Sequence, residues 1–280
     1  MGAVLAPADE VAARIGQRPL WWRVAHEALL LGALWMVYTL GRALAGRHVG
    51  AAREHAGDVW RLERDLRLPD EASWQRWALG HTDLIQAANV YYKFEHWVAL
   101  GVVTLWLLVF RVGRYPWFRR VLVATTALAL AGHVAYPLMP PRMRPDLGFV
   151  DTGVVLGQSV YGPDPRNHGL INQYAAMPSM HVAWAALFAV TVILATRTRW
   201  RWLAVCYPAV TTTVVVITGN HYWLDGIVGV LLLCLAAAAV ALATRPARTP
   251  DPVPTARVGT GPVAPTGRWS RRTSSRGPRG

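Results

Sequence analysis

The sequence of 280 residues contains only two cysteines, Cys206 and Cys234, and both lie inside apolar runs. Two such residues cannot build a disulfide framework or a zinc site of paired cysteines. Charged residues are also scarce, at 16% against 53% hydrophobic residues. This balance excludes a disordered chain and is too apolar for an ordinary globular protein, so it favours a membrane protein.

Acidic residues are fewer than basic ones, 16 against 29, and Lys93 is the only lysine. The formal net charge of +13 is typical of nucleic-acid binding unless the arginines serve another purpose. The first twenty residues include Asp9, Glu10 and Arg14 and lack an unbroken apolar core. We therefore expect no cleavable signal peptide, and membrane insertion must come from internal segments.

A membrane-crossing helix needs about 20 mostly apolar residues. Six stretches meet this need and predict an all-α fold, a polytopic membrane helical bundle of about six transmembrane helices. They are centred on residues 28–44, 97–112, 121–138, 182–196, 202–218 and 222–244.

The remaining segments predict three further features. Residues 1–23 form an N-terminal segment before a membrane domain at 24–244. Within that domain, the polar connector 46–89 intersperses Trp and Leu with charges, which indicates short amphipathic helices along the membrane interface. Residues 245–280 are rich in Pro, Thr, Gly, Ser and Arg, a composition that predicts a disordered basic tail.

The arginines predict the orientation of the bundle. With six spans, the N-terminal segment, the second-to-third connection, the fourth-to-fifth connection and the tail fall on one side, and they carry most of the basic residues. The positive-inside rule then predicts cytoplasmic termini in a multi-pass plasma-membrane protein. Topology thus explains the net charge, and we expect no nucleic-acid partner. The preference for Arg over Lys, with abundant Ala and Gly, suggests a bacterial source.

Three short polar stretches collect on the predicted outer side, at residues 140–145, 178–181 and 219–225. In the third stretch, His221 and Asp225 are four residues apart and share a helical face, so the carboxylate can orient the imidazole. An ionisable residue at the mouth of a membrane helix indicates function. The alternative is a polar pair that caps or packs the helix.

The first two stretches predict a phosphate site. Pro178 and Ser179 mark the start of a helix, whose free N–H groups and Ser179 hydroxyl favour an anion. His181 follows directly, although a lone histidine there could be structural. Arg142 and Arg144 offer bidentate donors to phosphate oxygens, or could position lipid head groups. Two His, one Asp and two Arg together favour phosphoryl transfer.

Two competing chemistries use similar residues. His and Asp are zinc ligands, but three ligands with no further Cys, His or Glu in these motifs, and with two Arg alongside, make a metal centre the weaker interpretation. An intramembrane serine protease needs an exposed serine in a glycine-rich setting, whereas Ser179 stands between Pro178 and Met180.

At these motifs the chain resembles a known family. Pro-Ser-Met-His at 178–181 and His-Tyr-Trp-Leu-Asp at 221–225 resemble the second and third signature motifs of the type 2 phosphatidic acid phosphatase superfamily. The longer wording around both motifs resembles its inositol-phosphorylceramide synthase (inositol phosphotransferase) branch, over roughly residues 89–229. Pro137 and Val215 stand where the superfamily usually has a Lys and an Arg, which favours the phosphotransferase branch over a generic phosphatase.

The resemblance implies a mechanism without metal or cofactor. His221 would be the nucleophile that forms a phosphohistidine, Asp225 would orient it, and His181 would be the general acid and then base. Arg142, Arg144 and Ser179 would bind the phosphate. The expected activity is transfer of a phospholipid head group, for example phosphoinositol, to an alcohol acceptor. The alternatives are hydrolysis of phosphatidic acid or a polyprenyl phosphate, and a catalytically silent lipid-binding protein.

A head-group pocket is expected beside this site. The resemblance places a Tyr and His motif at the start of the second span, so the candidates are His96, Lys93, Tyr174 and Asn220. The alternative is that the stretch around Lys93 anchors the helix at the interface. Residues 146–176 form a long connection rich in Gly, Pro, Asp and Asn, which is typical of a lid or recognition loop.

Overall fold

The computed structural model describes residues 13–44, 49–159 and 173–245. Their regular structure is helical, with short 3-10 turns and a single isolated β-bridge between Leu138 and Ala175. The α-helices are α1 (Leu20–Leu44), α2 (Val49–Asp65), α3 (Glu71–Leu79), α4 (Thr82–Phe110), α5 (Tyr115–Ala135), α6 (Thr152–Val155), α7 (Met180–Ala195), α8 (Cys206–Ile217) and α9 (Trp223–Ala243). The all-α membrane bundle is confirmed.

Four helical segments are long and apolar enough to cross a membrane: Thr82–Phe110, Val112–Ala135, Arg199–Ile217 and Trp223–Ala243. They correspond to four of the six predicted spans. The other two predicted spans are also helical but do not meet this standard within the described residues. Helix α1 carries Arg23 and the buried Glu27 in its first half, and α7 has only 16 residues.

The predicted interfacial connector contains two helices, α2 and α3, and is shorter than expected. Its last residues already belong to α4, which begins at Thr82 and extends the second predicted span by more than three turns. The sequence hid this extension because Asn89 and other polar residues lie among its apolar ones. Asp70 caps α3 by accepting a hydrogen bond from the Ser73 N–H at 3.2 Å.

One face of α2 is buried at Ala52, Ala56, Val59 and Glu63. The three apolar residues pack in a cluster with Leu138 and with other residues of the segments between the membrane helices. Because these positions recur every three or four residues, α2 lies on the bundle through a single stripe. The same stripe carries the carboxyl group of Glu63, which contacts the start of α9.

Helix α9 approaches the start of α7 very closely. A Cβ atom added at Gly229 would lie 2.6 Å from the carbonyl oxygen of Ser179, and one at Gly226 would lie 3.5 Å from Val182. At Gly229 only a hydrogen atom permits this packing, whereas the distance at Gly226 is an ordinary van der Waals contact. Gly229 therefore allows the close approach of the helices that carry His181 and Asp225.

The segment between α5 and α7 starts with two 3-10 turns, Pro141–Met143 and Pro145–Leu147, followed by the single-turn helix α6. The side chain of Gln75 on α3 fixes its path, since it accepts from the N–H of Val150 at 2.8 Å and donates to the carbonyl of the same residue at 3.0 Å. Residues 160–172 of the connection predicted to form a lid lie outside the described residues, as does the predicted tail after Arg245.

Candidate active site

The start of α9 is organised by Asp225. Its carboxylate accepts a hydrogen bond from the N–H of Tyr222, the N-cap residue, at 2.9 Å, so it satisfies a backbone group that the helix itself cannot. The same oxygen, Oδ2, lies 3.2 Å from Nδ1 of His221. The capping role predicted as an alternative and the orienting role thus use one carboxylate, and the side chain is fully buried.

The surroundings of His221 select one tautomer. Its Nδ1 atom lies 2.9 Å from the carbonyl oxygen of Ala176 and 3.2 Å from the Asp225 carboxylate. Both neighbours are acceptors, so Nδ1 must carry a proton to satisfy them. In the neutral ring Nε2 then keeps its lone pair, the state that a nitrogen nucleophile requires.

The start of α7 is bonded to the start of α9. The backbone N–H of Ser179 donates to the carbonyl oxygen of Asp225 at 2.9 Å. The Ser179 hydroxyl is the N-cap of α7 and accepts from the N–H of Val182 at 3.4 Å. Ser179 is fully buried, and its hydroxyl oxygen caps the first turn of α7. Its predicted role as a phosphate ligand stays a prediction.

His181 lies among three aromatic rings. Its ring stacks on Tyr92 with a centroid distance of 4.3 Å, meets His96 edge to face at 4.5 Å, and lies 5.9 Å from the ring of His221. The two histidines predicted to share the reaction are thus close enough to contact one phosphoryl group. Tyr92 fixes the plane of the His181 ring by stacking.

A small cavity lies at these histidines, with a volume of about 50 Å³. Its lining residues are Tyr92, His133, Pro140, Arg142, Gln173, Ala175, Ala176, Met180, His181, Asn220 and His221. The structure thus brings together residues from all three predicted polar stretches. A cavity of this size fits a phosphoryl group or a few water molecules rather than a whole head group.

Arg142 is held as a fixed cation on this cavity. Its backbone N–H donates to the carbonyl of Gly219 at 2.7 Å, and its guanidinium donates to Asn220 at 3.1 Å, Gln173 at 3.4 Å and Asp151 at 3.5 Å. Two of the three guanidinium partners are neutral amides and the Asp151 carboxylate is the most distant, so part of the positive charge stays available to an anion.

The structure places the second predicted phosphate ligand elsewhere. Arg144 does not line the cavity. Its guanidinium bonds the Asp146 carboxylate from two nitrogens, each at 2.9 Å, and the carbonyl of Arg53 on α2 at 3.1 Å. The hydrogen bond with Arg144 lowers the pKa of Asp146, and the same bond raises the pKa of Arg144. These contacts give Arg144 a structural role in fixing the 3-10 turns to α2.

The four head-group candidates have different locations. Asn220 lines the main cavity, and His96 contacts His181 beside it. Lys93 is exposed, with Nζ 5.3 Å from the centre of the Phe94 ring, and Tyr174 is buried in the cluster around Leu138. Neither Lys93 nor Tyr174 lines the cavity described above.

A second small cavity is also lined by Arg142. It has a volume of about 20 Å³ and shares Tyr92, Arg142 and Asn220 with the first. Its other lining residues are Asn89, Asp151, Gly153, Gln158, Ser159 and Thr218. Arg142 therefore lines both a space that contains the histidines and a space lined mainly by neutral amides and hydroxyls, with Asp151 as the one carboxylate among its described lining residues.

Sequence reasoning missed His133 and Gln173. Buried His133 on α5 contacts the carbonyl of Pro178 with Nε2 at 3.0 Å, and so supports the loop that enters α7. A histidine inside an apolar membrane segment is a recognisable signal, and it identifies this position. Gln173 carries no comparable signal, because an amide in a polar loop is ordinary.

Two buried glutamates at the base of α9 were also missed. Glu63 on α2 accepts a hydrogen bond from the N–H of Leu224 at 2.7 Å, and Glu71 on α3 pairs with Arg64 at 2.8 Å. Burial and the neighbouring Glu71 carboxyl raise the pKa of Glu63 to about 10. This carboxyl is therefore protonated at neutral pH and holds the first turn of α9 as a neutral group.

Comparison with known families agrees with these motifs. The profile of a family described as the PAP2 superfamily matches residues 57–239, which is more than half of the chain. No curated protein and no solved structure gives a significant match. The matched range begins in α2 and ends in α9, so it contains His181, His221 and Asp225.

Proposed function

Because the chain belongs to the PAP2 superfamily, and is therefore a lipid enzyme of the phosphatase or phosphotransferase type, we propose that it moves the phosphorylated head group of a phospholipid through a phosphohistidine on His221. The inositol phosphotransferase branch suggested by the sequence motifs belongs to this proposal.

In the first step, Nε2 of His221 attacks phosphorus and forms the N–P bond while the bond from phosphorus to the lipid oxygen breaks. His181 gives its proton to that oxygen, so a neutral diacylglycerol leaves. Nδ1–H of His221 stays bonded to Ala176 and Asp225, whose negative charge stabilises the positive charge that develops on the ring. Arg142 stabilises the charge on the non-bridging oxygens.

In the second step His181 is neutral and accepts the proton of an incoming hydroxyl group. The acceptor oxygen bonds to phosphorus as the N–P bond breaks, and the electron pair returns to Nε2 of His221. An alcohol gives transfer of the head group, and water gives its release as a phosphate ester. The site then returns to its starting protonation state.

The observation that most directly supports a phosphodiester donor is the positive charge at the cavity. Among the described residues that line it, Arg142 is the sole Arg or Lys. Arg144 does not line the cavity and is paired with Asp146. A phosphomonoester carries a charge of about −1.5 to −2 at pH 7, whereas a diester carries one negative charge. Protonated His181 adds a second positive charge in the first step, but the Asp151 carboxylate, 3.5 Å from Arg142, offsets one of the two. The remaining single charge balances the diester better than the monoester, which favours head-group transfer over hydrolysis of phosphatidic acid.

The neutral groups beyond Arg142 support a polyol head group. Asn89, Gln158 and Thr218 line the second cavity and, with Asn220, offer both donors and acceptors without charge. Such groups recognise hydroxyls by hydrogen bonds, and the volume of about 20 Å³ accommodates a single hydroxyl at the edge of a head group rather than the whole ring. Phosphatidylinositol is therefore the first donor to test.

The test compares labelled phosphatidylinositol with labelled phosphatidic acid, each with and without an alcohol acceptor, in detergent-purified protein. Wild type is expected to release diacylglycerol from phosphatidylinositol, and His221→Ala to lose this activity. His81→Ala is the matched control, since His81 is an exposed histidine outside the cavity. Release of phosphate from phosphatidic acid alone would establish the phosphatase instead, and turnover of neither lipid would favour a silent lipid-binding protein.

We propose that this site faces the extracytoplasmic side of the plasma membrane and that both termini are cytoplasmic. The clusters of arginine between the spans support that orientation. Single cysteines introduced at exposed Arg197 and at exposed Asp146, after Cys206 and Cys234 are replaced by serine, test it with an impermeant thiol reagent. We expect labelling from outside at Asp146 only; labelling at both positions would disprove the orientation.

A further inference from the structure

Three possible metal ligands converge beside the reaction centre. Glu95 and His96 on α4 and His181 on α7 place one ligand atom each within 4.8 Å of one another. The rings of His96 and His181 meet edge to face with centroids 4.5 Å apart. Ligands bound to one zinc ion at about 2.0 to 2.2 Å lie about 3.4 Å apart in tetrahedral geometry, so small side-chain rotations complete the site.

Two of these side chains have unsatisfied buried atoms. Oε1 of Glu95 and Nδ1 of His96 are buried and have no hydrogen-bond partner within the described part of the chain. Buried polar atoms of folded proteins are normally bonded to protein, water or an ion. Their lack of a partner is therefore an independent indication that a ligand belongs at this position.

The other oxygen of the glutamate is already oriented. The hydroxyl of Tyr207 on α8 donates to Oε2 of Glu95. A hydrogen bond of this kind to a ligating carboxylate is typical of metal sites, where it fixes the direction of the remaining oxygen. Tyr207 on α8 thus fixes the Glu95 carboxylate in an orientation in which Oε1 can bind an ion.

The donor set indicates the kind of ion. Imidazole nitrogens favour zinc and similar transition ions over magnesium and calcium, which take oxygen ligands. Two histidines, one carboxylate and a fourth, open position match the coordination of many zinc ions in proteins. The three ligands come from two helices, so an ion would also bridge α4 and α7.

We propose that Glu95, His96 and His181 bind a divalent transition ion of the zinc type and that this ion inhibits the enzyme. The inhibition rests on the proposed function, because a metal bound to either ring nitrogen of His181 prevents the doubly protonated ring that gives its proton to the lipid oxygen. The same ion would sit next to the cavity that receives the phosphate. When the metal is removed, His181 can again act as the general acid.

The first test measures binding without reference to activity. Purified wild type, Glu95→Gln and the double variant Glu95→Gln/His96→Ala are dialysed against Zn²⁺ of fixed free concentration, and bound metal is quantified. Glu54→Gln, which changes an exposed carboxylate on α2, is the matched control. We expect one ion per chain in wild type and control, and at least tenfold weaker binding in both Glu95 variants. Equal binding in all four proteins would overturn the site.

The second test measures inhibition. We expect Zn²⁺ to inhibit wild type reversibly, with recovery on addition of a chelator. Glu95→Gln keeps an oxygen that accepts from Tyr207, so its activity without metal should equal that of wild type, and half-inhibition should need at least tenfold more Zn²⁺. Equal inhibition of wild type and variant would contradict the inhibitory role. If no lipid is turned over, the proposed function fails while the dialysis result still decides the metal site.

Discussion

Glu63 and Glu71 bring two fully buried carboxyl groups next to each other, and the neighbouring Glu71 raises the pKa of Glu63. Such a pair requires a proton, because two adjacent buried carboxylates repel each other. Arg64 lies 2.8 Å from Glu71 but 4.0 Å from Glu63, so Glu63 is the carboxyl that keeps the proton. The neutral Glu63 still accepts from the N–H of Leu224, one residue before Asp225.

This proton predicts how stability depends on pH. The pKa of Glu63 is raised from 4.5 to about 10 by burial and by Glu71. Between these values the folded state binds more protons than the unfolded state, so the stabilisation that is complete below pH 4.5 is lost as pH rises through 10. We expect Glu63 to lower the free energy of unfolding by at most about 1.4 kcal/mol per pH unit in this window.

Glu63→Gln removes the titrating group and keeps an acceptor for Leu224. Thermal unfolding in detergent from pH 6 to pH 10 should therefore show a shallower loss of stability in the variant than in wild type. Arg64, Glu71 and Asp225 face Glu63 and are unchanged in both proteins. Parallel curves for the two proteins would assign the proton to another group.

Asp225→Asn tests the charge behind His221. The amide oxygen can still accept from the N–H of Tyr222, so the cap of α9 is preserved, while the negative charge that stabilises the phosphohistidine is removed. We expect kcat to fall by about 10²- to 10⁴-fold with a smaller change in KM, as when a catalytic histidine loses its carboxylate partner. Initial rates on the lipid donor measure this, and a rate within twofold of wild type would refute the role of Asp225.

Arg142 and Arg144 form a matched pair for locating the phosphate. We expect Arg142→Ala to lower kcat/KM by about 100-fold, since charge-assisted hydrogen bonds to the anion are lost. Arg144→Ala should reduce activity less than tenfold and lower the melting temperature more, because it breaks the contacts with Asp146 and the carbonyl of Arg53. If Arg144→Ala lowered activity more than Arg142→Ala, Arg144 rather than Arg142 would be the phosphate ligand.

Gly229→Ala tests the close approach of α9 to α7. The added methyl group would lie 2.6 Å from the carbonyl of Ser179, so the helices must separate. Overpacking of this kind costs about 1 to 3 kcal/mol, and activity should fall with stability. Gly101→Ala on α4 is the control, since no atom lies within 4 Å of its added Cβ. Equal melting temperatures for both variants would show that this contact is not tight.

The apolar pattern predicted the positions of the helices well, because a helix that crosses a membrane requires a long run of apolar residues. It failed where polar residues continue a membrane helix: α4 begins at Thr82 rather than near Trp97, since Asn89 faces Gln158 and Thr152 inside the protein instead of water. Hydropathy has no means of distinguishing a polar group bonded to protein from one exposed to solvent.

The local motifs predicted the pair of His221 and Asp225, since a spacing of four on one helix fixes their distance. The partner of Arg144 could not be predicted in the same way. Arg142 and Arg144 are two residues apart in one motif, and only the 3-10 turns decide that the first points to the cavity and the second to Asp146. Glu63 of α2 was hidden because its contact with Leu224 joins residues 161 positions apart.

The shortness of α7 has a consequence for the surrounding bilayer. Its 16 residues rise about 24 Å, whereas the hydrocarbon core of a typical membrane is about 30 Å thick. Ser179 bonds the start of α7 to α9, so α7 cannot shift along the membrane normal alone to adjust. We therefore expect the lipid leaflet to thin beside His181, which would lower the ester of a neighbouring lipid to the level of the histidines without drawing its tails out of the membrane.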